Sequence, residues 1–296
     1  MATALVKLLS DIKIAHTVFA MPFALLGGFM AATNDGDINW QDFGWQLVLI
    51  VLCMFFARNV AMLSNRLIDR KIDVKNPRTE NRVLASGDVK PTTAFLFFVI
   101  SAVLFVCTTA LFIKWDNYCA LFLSIPVLTW LGAYPFLKRF TCLCHIYLGS
   151  SLALSPIAAA IAVQPETLSH LPIWLLSGAV LCWVAGFDII YALQDIEVDK
   201  RDNLKSMPAS LGEKPAMLIS QMLHCICVAL LFGVATTDHK FGWLFLGAIF
   251  LVAALLMYEH LTVKKWGTTK IALTFFTLNG VVSLVLGIAG IVDLLC

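Results

Sequence analysis

Two acidic runs lie at the ends of strongly apolar stretches: Asn65-Arg-Leu-Ile-Asp69-Arg-Lys-Ile-Asp73 and Asp188-Ile-Ile-Tyr-Ala-Leu-Gln-Asp195-Ile-Glu-Val-Asp199. On a helix, side chains four residues apart share a face, so Asp69 with Asp73, and Asp195 with Asp199, can each grip one divalent cation. Two such faces set opposite one another would hold two cations with a diphosphate between them. Basic residues adjoin the acids. Asn76-Pro-Arg78-Thr-Glu-Asn-Arg82 comes directly after the first run, and Tyr134-Pro-Phe-Leu-Lys138-Arg139 closes another apolar stretch. Arginine meets phosphate oxygens with a planar fork and lysine meets them as a compact charge. Many lysines and arginines are expected at a cytoplasmic membrane face whatever the function. Arg78, Arg82 and Lys138 stand apart from these because they adjoin the acids. An oxygen-rich acidic site that also meets phosphate favours Mg²⁺ over softer metals.

The elements that position these groups are set by composition. The chain has 296 residues, 60% of them hydrophobic and 14% charged, with a mean hydropathy of +0.86. Soluble domains average about 45–50% apolar and about 25% charged residues. The apolar excess arrives in blocks long enough to cross a bilayer as helices and too long for barrel strands. Nine spans are predicted, near 14–33, 44–65, 91–113, 117–137, 142–163, 171–194, 215–237, 241–260 and 271–292. The fourth and fifth are close enough for a tight helical hairpin. No soluble domain remains, so residues 1–296 form one intramembrane domain. The first block precedes Ala31-Ala32-Thr33 but is read as a retained helix, since Asp11 stands ahead of it and eight more spans come after it. The nine cysteines fall mostly inside spans. Cys142-x-Cys144 and Cys225-x-Cys227 lack zinc spacing, which makes apolar filling the expected role.

Alternate loops put all but three of the 21 lysines and arginines on one side; Lys114 and Lys240 lie on the other and Arg58 lies within a span. The positive-inside rule then predicts an integral inner (plasma) membrane protein with a cytoplasmic N-terminus and both acidic runs at the cytoplasmic face. Arg58, Asn65, Asp69 and Asp73 keep near one helical stripe at 3.6 residues per turn. An arginine inside a span costs roughly 2.5–3.5 kcal/mol on insertion scales, so Arg58 needs a polar cavity or a counter-charge. Asp188 lies inside span six, with Tyr191 and Asp195 further along. A cation, or Arg58 across a cavity, would keep Asp188 ionised. A structural ion pair is the simpler alternative for Arg58 and Asp188. Together the residues describe a chamber with an acidic and basic mouth and an apolar interior, suited to a diphosphate head and a hydrocarbon tail.

The Asn65, Asp69 and Asp73 element, Asp195-x-x-x-Asp199 and the Arg78 to Arg82 stretch resemble the UbiA superfamily of intramembrane aromatic prenyltransferases. The resemblance covers nearly the whole chain. Lys13-Ile-Ala-His16-Thr-Val-Phe-Ala-Met-Pro-Phe-Ala, Tyr134-Pro-Phe-Leu-Lys138-Arg139 and Gly186-Phe-Asp188-Ile-Ile-Tyr191-Ala-Leu-Gln-Asp195 are most similar to the bacterial 4-hydroxybenzoate polyprenyltransferase-like branch. Lys13 departs from the arginine that many relatives carry. The resemblance implies an all-α polytopic fold, with nine transmembrane helices around a central cavity and a cytoplasmic loop cap. It implies Mg²⁺ held by Asn65, Asp69 and Asp73 on one side and Asp195 and Asp199 on the other. It implies a diphosphate held by Arg78, Arg82, Lys138 and Arg139, and an acceptor carboxylate met by Arg58, with Asp188 and Tyr191 lining the chamber. Tyr134 is counted with the substrate-binding residues of its motif.

The expected activity is transfer of a polyprenyl group from polyprenyl diphosphate to a ring carbon of an aromatic acid such as 4-hydroxybenzoate, as in ubiquinone biosynthesis. Ionisation of the diphosphate would leave an allylic cation, which the phenol attacks through a carbon beside its hydroxyl; pyrophosphate or a carboxylate would take the ring proton. The alternative within the class is a naphthoate or futalosine-derived acceptor, as in menaquinone biosynthesis. Haem farnesylation and chlorophyll prenylation fit the motifs less well. A transporter using Arg58 and Asp188 is the rival outside the class, but transporter sites favour the membrane midplane and inverted repeats. The acids here gather at one face. No nucleic acid and no obligatory protein partner is expected beside donor, acceptor and lipid bilayer.

Overall fold

A computed structural model describes residues 7–8, 17–34, 36, 38–271 and 273–296, so Lys13 and His16 lie outside the described residues. The chain forms α1 (Thr17–Ala32), α2 (Trp40–Asp73), α3 (Pro91–Ala110), α4 (Cys119–Leu137), α5 (Cys144–Val163) and α6 (Leu171–Ala192). Two short helices come next, α7 (Ile196–Arg201) and α8 (Met207–Leu211), then α9 (Glu213–Thr237), α10 (Trp243–Trp266) and α11 (Asn279–Leu295). No strand occurs among the described residues. Among those residues 8 segments are long and apolar enough to cross a membrane, and Phe19–Ala32 adds a shorter apolar helix. Each of the nine expected spans therefore has its helix. The outer faces are apolar: Trp243 is 88% exposed, Phe122 73% and Phe250 66%. Such faces are tolerable only against lipid.

Three boundaries differ from the hydropathy reading. Helix α2 does not stop near residue 65 but continues to Asp73, over 34 residues. At 1.5 Å per residue it is about 50 Å long, against about 30 Å of hydrocarbon. Its last two and a half turns carry Asn65, Asp69 and Asp73 past its apolar stretch. Hydropathy measures lipid burial, and nothing breaks this helix before Pro77; Arg70 and Lys71 in its last turn suit the helix dipole. After α6, residues Leu193–Asp195 tighten into a 3₁₀ turn before α7 begins. Asp188, Asp195 and Asp199 thus do not share one unbroken α-helical stripe, because a three-residue turn of tighter pitch rotates α7 relative to α6. The last span opens with π-helical rather than α-helical geometry, over Leu273–Leu278 ahead of α11.

Helix α6 is the most enclosed of the eight long spans, 72% buried along its apolar stretch against at most 50% for the other seven. It packs between α5 and α9, while α1 lies against α5 and α11, and α2 against α3 and α4. Small residues allow the close approaches. A Cβ on Gly149 of α5 would stand 2.4 Å from the Leu181 carbonyl of α6, and one on Gly186 would stand 2.3 Å from the His224 ring of α9. Phe23, Trp183, Leu231, Phe245 and Ile249 fill the centre of the core. A buried polar chain crosses it: Trp183 Nε1 donates to Asn279 Oδ1 at 2.7 Å, and Asn279 Nδ2 donates to Glu259 Oε1 at 3.2 Å. It ties α6, α10 and α11 together, where no water can satisfy such groups.

Candidate active site

The first acidic run meets basic side chains from two loops. Asp69 is 1% exposed. Its Oδ2 accepts from Asn65 Nδ2 at 3.2 Å and lies 2.6 Å from Lys138 Nζ, while its Oδ1 lies 3.0 Å from Arg139 Nη2. Arg139 also donates to the Ile68 carbonyl at 3.0 Å, which fixes the turn after α4 on the side of α2. One turn on, both oxygens of Asp73 accept from Arg82 Nη1, at 2.8 and 3.0 Å.

The second run is gripped from the loop after α2. Arg78 Nε donates to Asp195 Oδ1 at 3.0 Å and Nη2 to Oδ2 at 2.5 Å, a two-point fork. Its remaining nitrogen Nη1 donates to the Tyr191 hydroxyl at 2.8 Å, and the guanidinium stands 5.1 Å from the Tyr191 ring centre. Burial lowers the pKa of Arg78, but Asp195 and Tyr191 outweigh it and leave the pKa raised, so the side chain is firmly cationic. Asn76 Nδ2 donates to the same Asp195 Oδ1 at 3.1 Å.

These contacts bring the two runs face to face. Arg78 interacts electrostatically with Asp73 as well as Asp195, and Lys138 with Asp199 as well as Asp69. Two further bonds close the same end: Arg201 Nη2 donates to the Lys75 carbonyl at 3.1 Å, and Lys205 N–H donates to the Lys138 carbonyl at 2.6 Å. Asn65, Asp69, Asp73, Asp195, Asp199, Arg78, Arg82, Lys138, Arg139 and Tyr191 therefore belong to one mouth. The donor set is all oxygen, which fits a hard divalent cation. Among the described residues no three acids, histidines or cysteines converge tightly enough to hold a metal as they stand. Asp69, Asp73 and Asp195 are instead turned to the basic groups expected to meet phosphate.

Deeper in the bundle, Tyr134 lies within the field of both Asp188 and Asp69, and Arg58 is half-buried on α2, seven residues before Asn65. The partner of Asp188 is His145, whose Nδ1 lies 2.6 Å from Asp188 Oδ2. The sequence pattern points to Arg58 for that part and gives no prominence to His145, whose signal is a lone histidine at the start of an otherwise apolar span. Asn76 is equally inconspicuous, since it reads as an ordinary residue before Pro77. A cavity of about 350 Å³ lies beside Gln194, Glu197, Lys200 and Glu213 and is lined by none of the expected site residues.

A bundle of apolar helices with one charged end, where two carboxylate patches meet across basic loops, defines an integral membrane protein with a polar site at its mouth. Residues 20–281 match the UbiA prenyltransferase family. The chain belongs to that family and is a prenyltransferase. It is 32% identical over 237 residues to a 4-hydroxybenzoate octaprenyltransferase of Saccharophagus degradans, covering 78% of this chain and 73% of that one. It is 30% identical over 244 residues to the enzyme of the same name from Edwardsiella ictaluri, covering 82% of each. The apo structure of a UbiA homologue from Aeropyrum pernix K1 superposes with a TM-score of 0.83 at 30% identity, over 95% of this chain and 98% of that one. A UbiA homologue from Archaeoglobus fulgidus bound to DMAPP and Mg²⁺ shares the fold, with a TM-score of 0.72 at 20% identity over 97% and 99% of the two chains.

Proposed function

We propose that the protein transfers a polyprenyl group from polyprenyl diphosphate to a ring carbon of 4-hydroxybenzoate, with Mg²⁺, as in ubiquinone synthesis. The observation that carries this reading is the pair of opposed acidic patches spanned by Arg78 and Lys138. The names of the relatives at 30% identity and above support the acceptor, and the Archaeoglobus homologue with DMAPP and Mg²⁺ supports the donor and metal.

Asn65, Asp69 and Asp73 would hold one cation and Asp195 and Asp199 the other. When bound, the metal neutralises charge on the departing diphosphate. Arg78, Arg82, Lys138 and Arg139 bind and orient the diphosphate oxygens, with Tyr191 steadying the Arg78 fork. The donor C–O bond breaks with its electron pair leaving on diphosphate. The ring carbon beside the acceptor hydroxyl forms the new C–C bond, and its proton passes to the released pyrophosphate or to a carboxylate, which restores aromaticity. Arg58 meets the acceptor carboxylate, while Tyr134 and Asp188 line the chamber beside it. The apolar helices keep water from the electron-poor prenyl carbon. The charge distribution supports a mouth facing the cytoplasm.

The test is purified protein with labelled prenyl diphosphate and a panel of aromatic acids. Pyrophosphate release with 4-hydroxybenzoate, abolished by chelator and restored by Mg²⁺, is expected. Transfer to a naphthoate alone would move the protein to the menaquinone branch, and absence of pyrophosphate release with every aromatic acid would refute the proposed acceptor class.

A further inference from the structure

His145 is 4% exposed at the start of α5 and touches two elements at once. Met207 N–H, an orphan donor at the first turn of α8, donates to His145 Nε2 at 3.2 Å. Nε2 must therefore present a lone pair, so the ring hydrogen sits on Nδ1 and is donated to Asp188 Oδ2, 2.6 Å away. One imidazole thus reads the segment after Asp199 with one nitrogen and holds the chamber carboxylate with the other. That segment is stitched down elsewhere as well: Leu204 N–H donates to the Asp199 carbonyl at 2.7 Å and Lys205 N–H to the Lys138 carbonyl at 2.6 Å. The third stitch, at Met207, is the one that continues inward to Asp188.

We propose that His145 is a positioning residue for acceptor binding: it fixes the Asp188 carboxylate in the chamber and couples its place to the segment that follows Asp199. The proposal rests on the reading of Asp188 as a lining residue of the acceptor pocket. It assigns a role in the acceptor half of the reaction to a residue that touches neither substrate.

Two substitutions separate the two ends of the imidazole. In His145→Asn the side-chain amide nitrogen takes the place of Nδ1, so the bond to Asp188 survives and the bond to Met207 is lost. In His145→Gln the side-chain oxygen reaches the place of Nε2, so Met207 keeps its acceptor and Asp188 loses its donor. The expected result is an acceptor KM raised about tenfold or more in His145→Gln, the scale of a lost hydrogen bond to a charged group. His145→Asn is expected within about threefold of wild type, and the KM for the prenyl diphosphate should move little in either. Equal acceptor effects in the two variants, or none in His145→Gln, overturn the proposal. A cycle with Asp188→Ala covers a poorly folding single variant: once Asp188 is truncated, His145→Gln should add nothing to acceptor KM, and an additive loss overturns the proposal. Failure of the functional reading is seen separately, as wild-type protein that releases no pyrophosphate with 4-hydroxybenzoate. The melting temperatures of His145→Gln, Asp188→Ala and their double variant then decide the pair alone: non-additive shifts support it and additive shifts overturn it.

Discussion

Arg78→Lys tests the mouth most sharply, because it keeps the charge and removes only the fork. Arg78 places three nitrogens on two partners: Nε and Nη2 on the two oxygens of Asp195, at 3.0 and 2.5 Å, and Nη1 on the Tyr191 hydroxyl at 2.8 Å. A lysine ammonium is a single point and can satisfy one of these positions well. The fork that holds Asp195 in the free protein is the one proposed to turn to the diphosphate oxygens, so two hydrogen bonds to phosphate are lost. Bonds to charged groups contribute about 1.5–3 kcal/mol each when buried. The Arg78 side chain is 31% exposed, so solvent screening brings each nearer to the ordinary value. The total is about 2 kcal/mol, or roughly 30-fold in an equilibrium constant. The assay is pyrophosphate release at saturating acceptor, with prenyl diphosphate varied. A loss of roughly 30-fold in kcat/KM for the donor is expected, with the acceptor KM little changed. A change below about threefold, or one falling on the acceptor, would refute the idea that the fork orients the diphosphate.

The site and the packing set three further expected outcomes. Asp69→Ala and Asp195→Ala should each abolish turnover while the detergent-solubilised protein keeps its helical circular dichroism; near-normal turnover would remove these residues from the metal and diphosphate site. Arg58→Ala should raise the acceptor KM more than the donor KM, and the reverse split would take Arg58 out of the acceptor pocket. Gly149→Ala should destabilise the protein by about 1–3 kcal/mol, since overpacking pushes helices apart. The atom facing the new methyl is the Leu181 backbone carbonyl at 2.4 Å, which has no rotamer to escape into. An unchanged melting temperature would show that α5 and α6 are less tightly apposed than described.

The sequence is most legible where one helix carries the pattern. Arg58, Asn65, Asp69 and Asp73 obey a 3.6-residue period, and the structure holds all four on the single helix α2. The apolar blocks are legible for a related reason, because lipid tolerates no unsatisfied backbone and so length alone selects helix. Features that depend on a second segment stay hidden. Nothing around Leu193–Asp195 announces a 3₁₀ turn, as no glycine or proline stands there; Asp195 is held from outside by Asn76 and Arg78. His145 and Asp188 sit on different spans, and their pairing depends on how α5 meets α6. The run of α2 past its apolar stretch is concealed by its own charges, which lower hydropathy without opposing helix.

Because Asp69, Asp73 and Asp195 already clasp lysine and arginine, a lone cation arriving at the mouth must evict a guanidinium or ammonium and leave it bare. A lone diphosphate must strip a carboxylate in the same way. Arriving together, the two re-pair every group they displace: acids to metal, bases to phosphate. Donor and cation should therefore load together, each strengthening the hold on the other by the same factor. On the proposed assignment of the mouth, metal-free pyrophosphate and a lone divalent ion should each bind weakly.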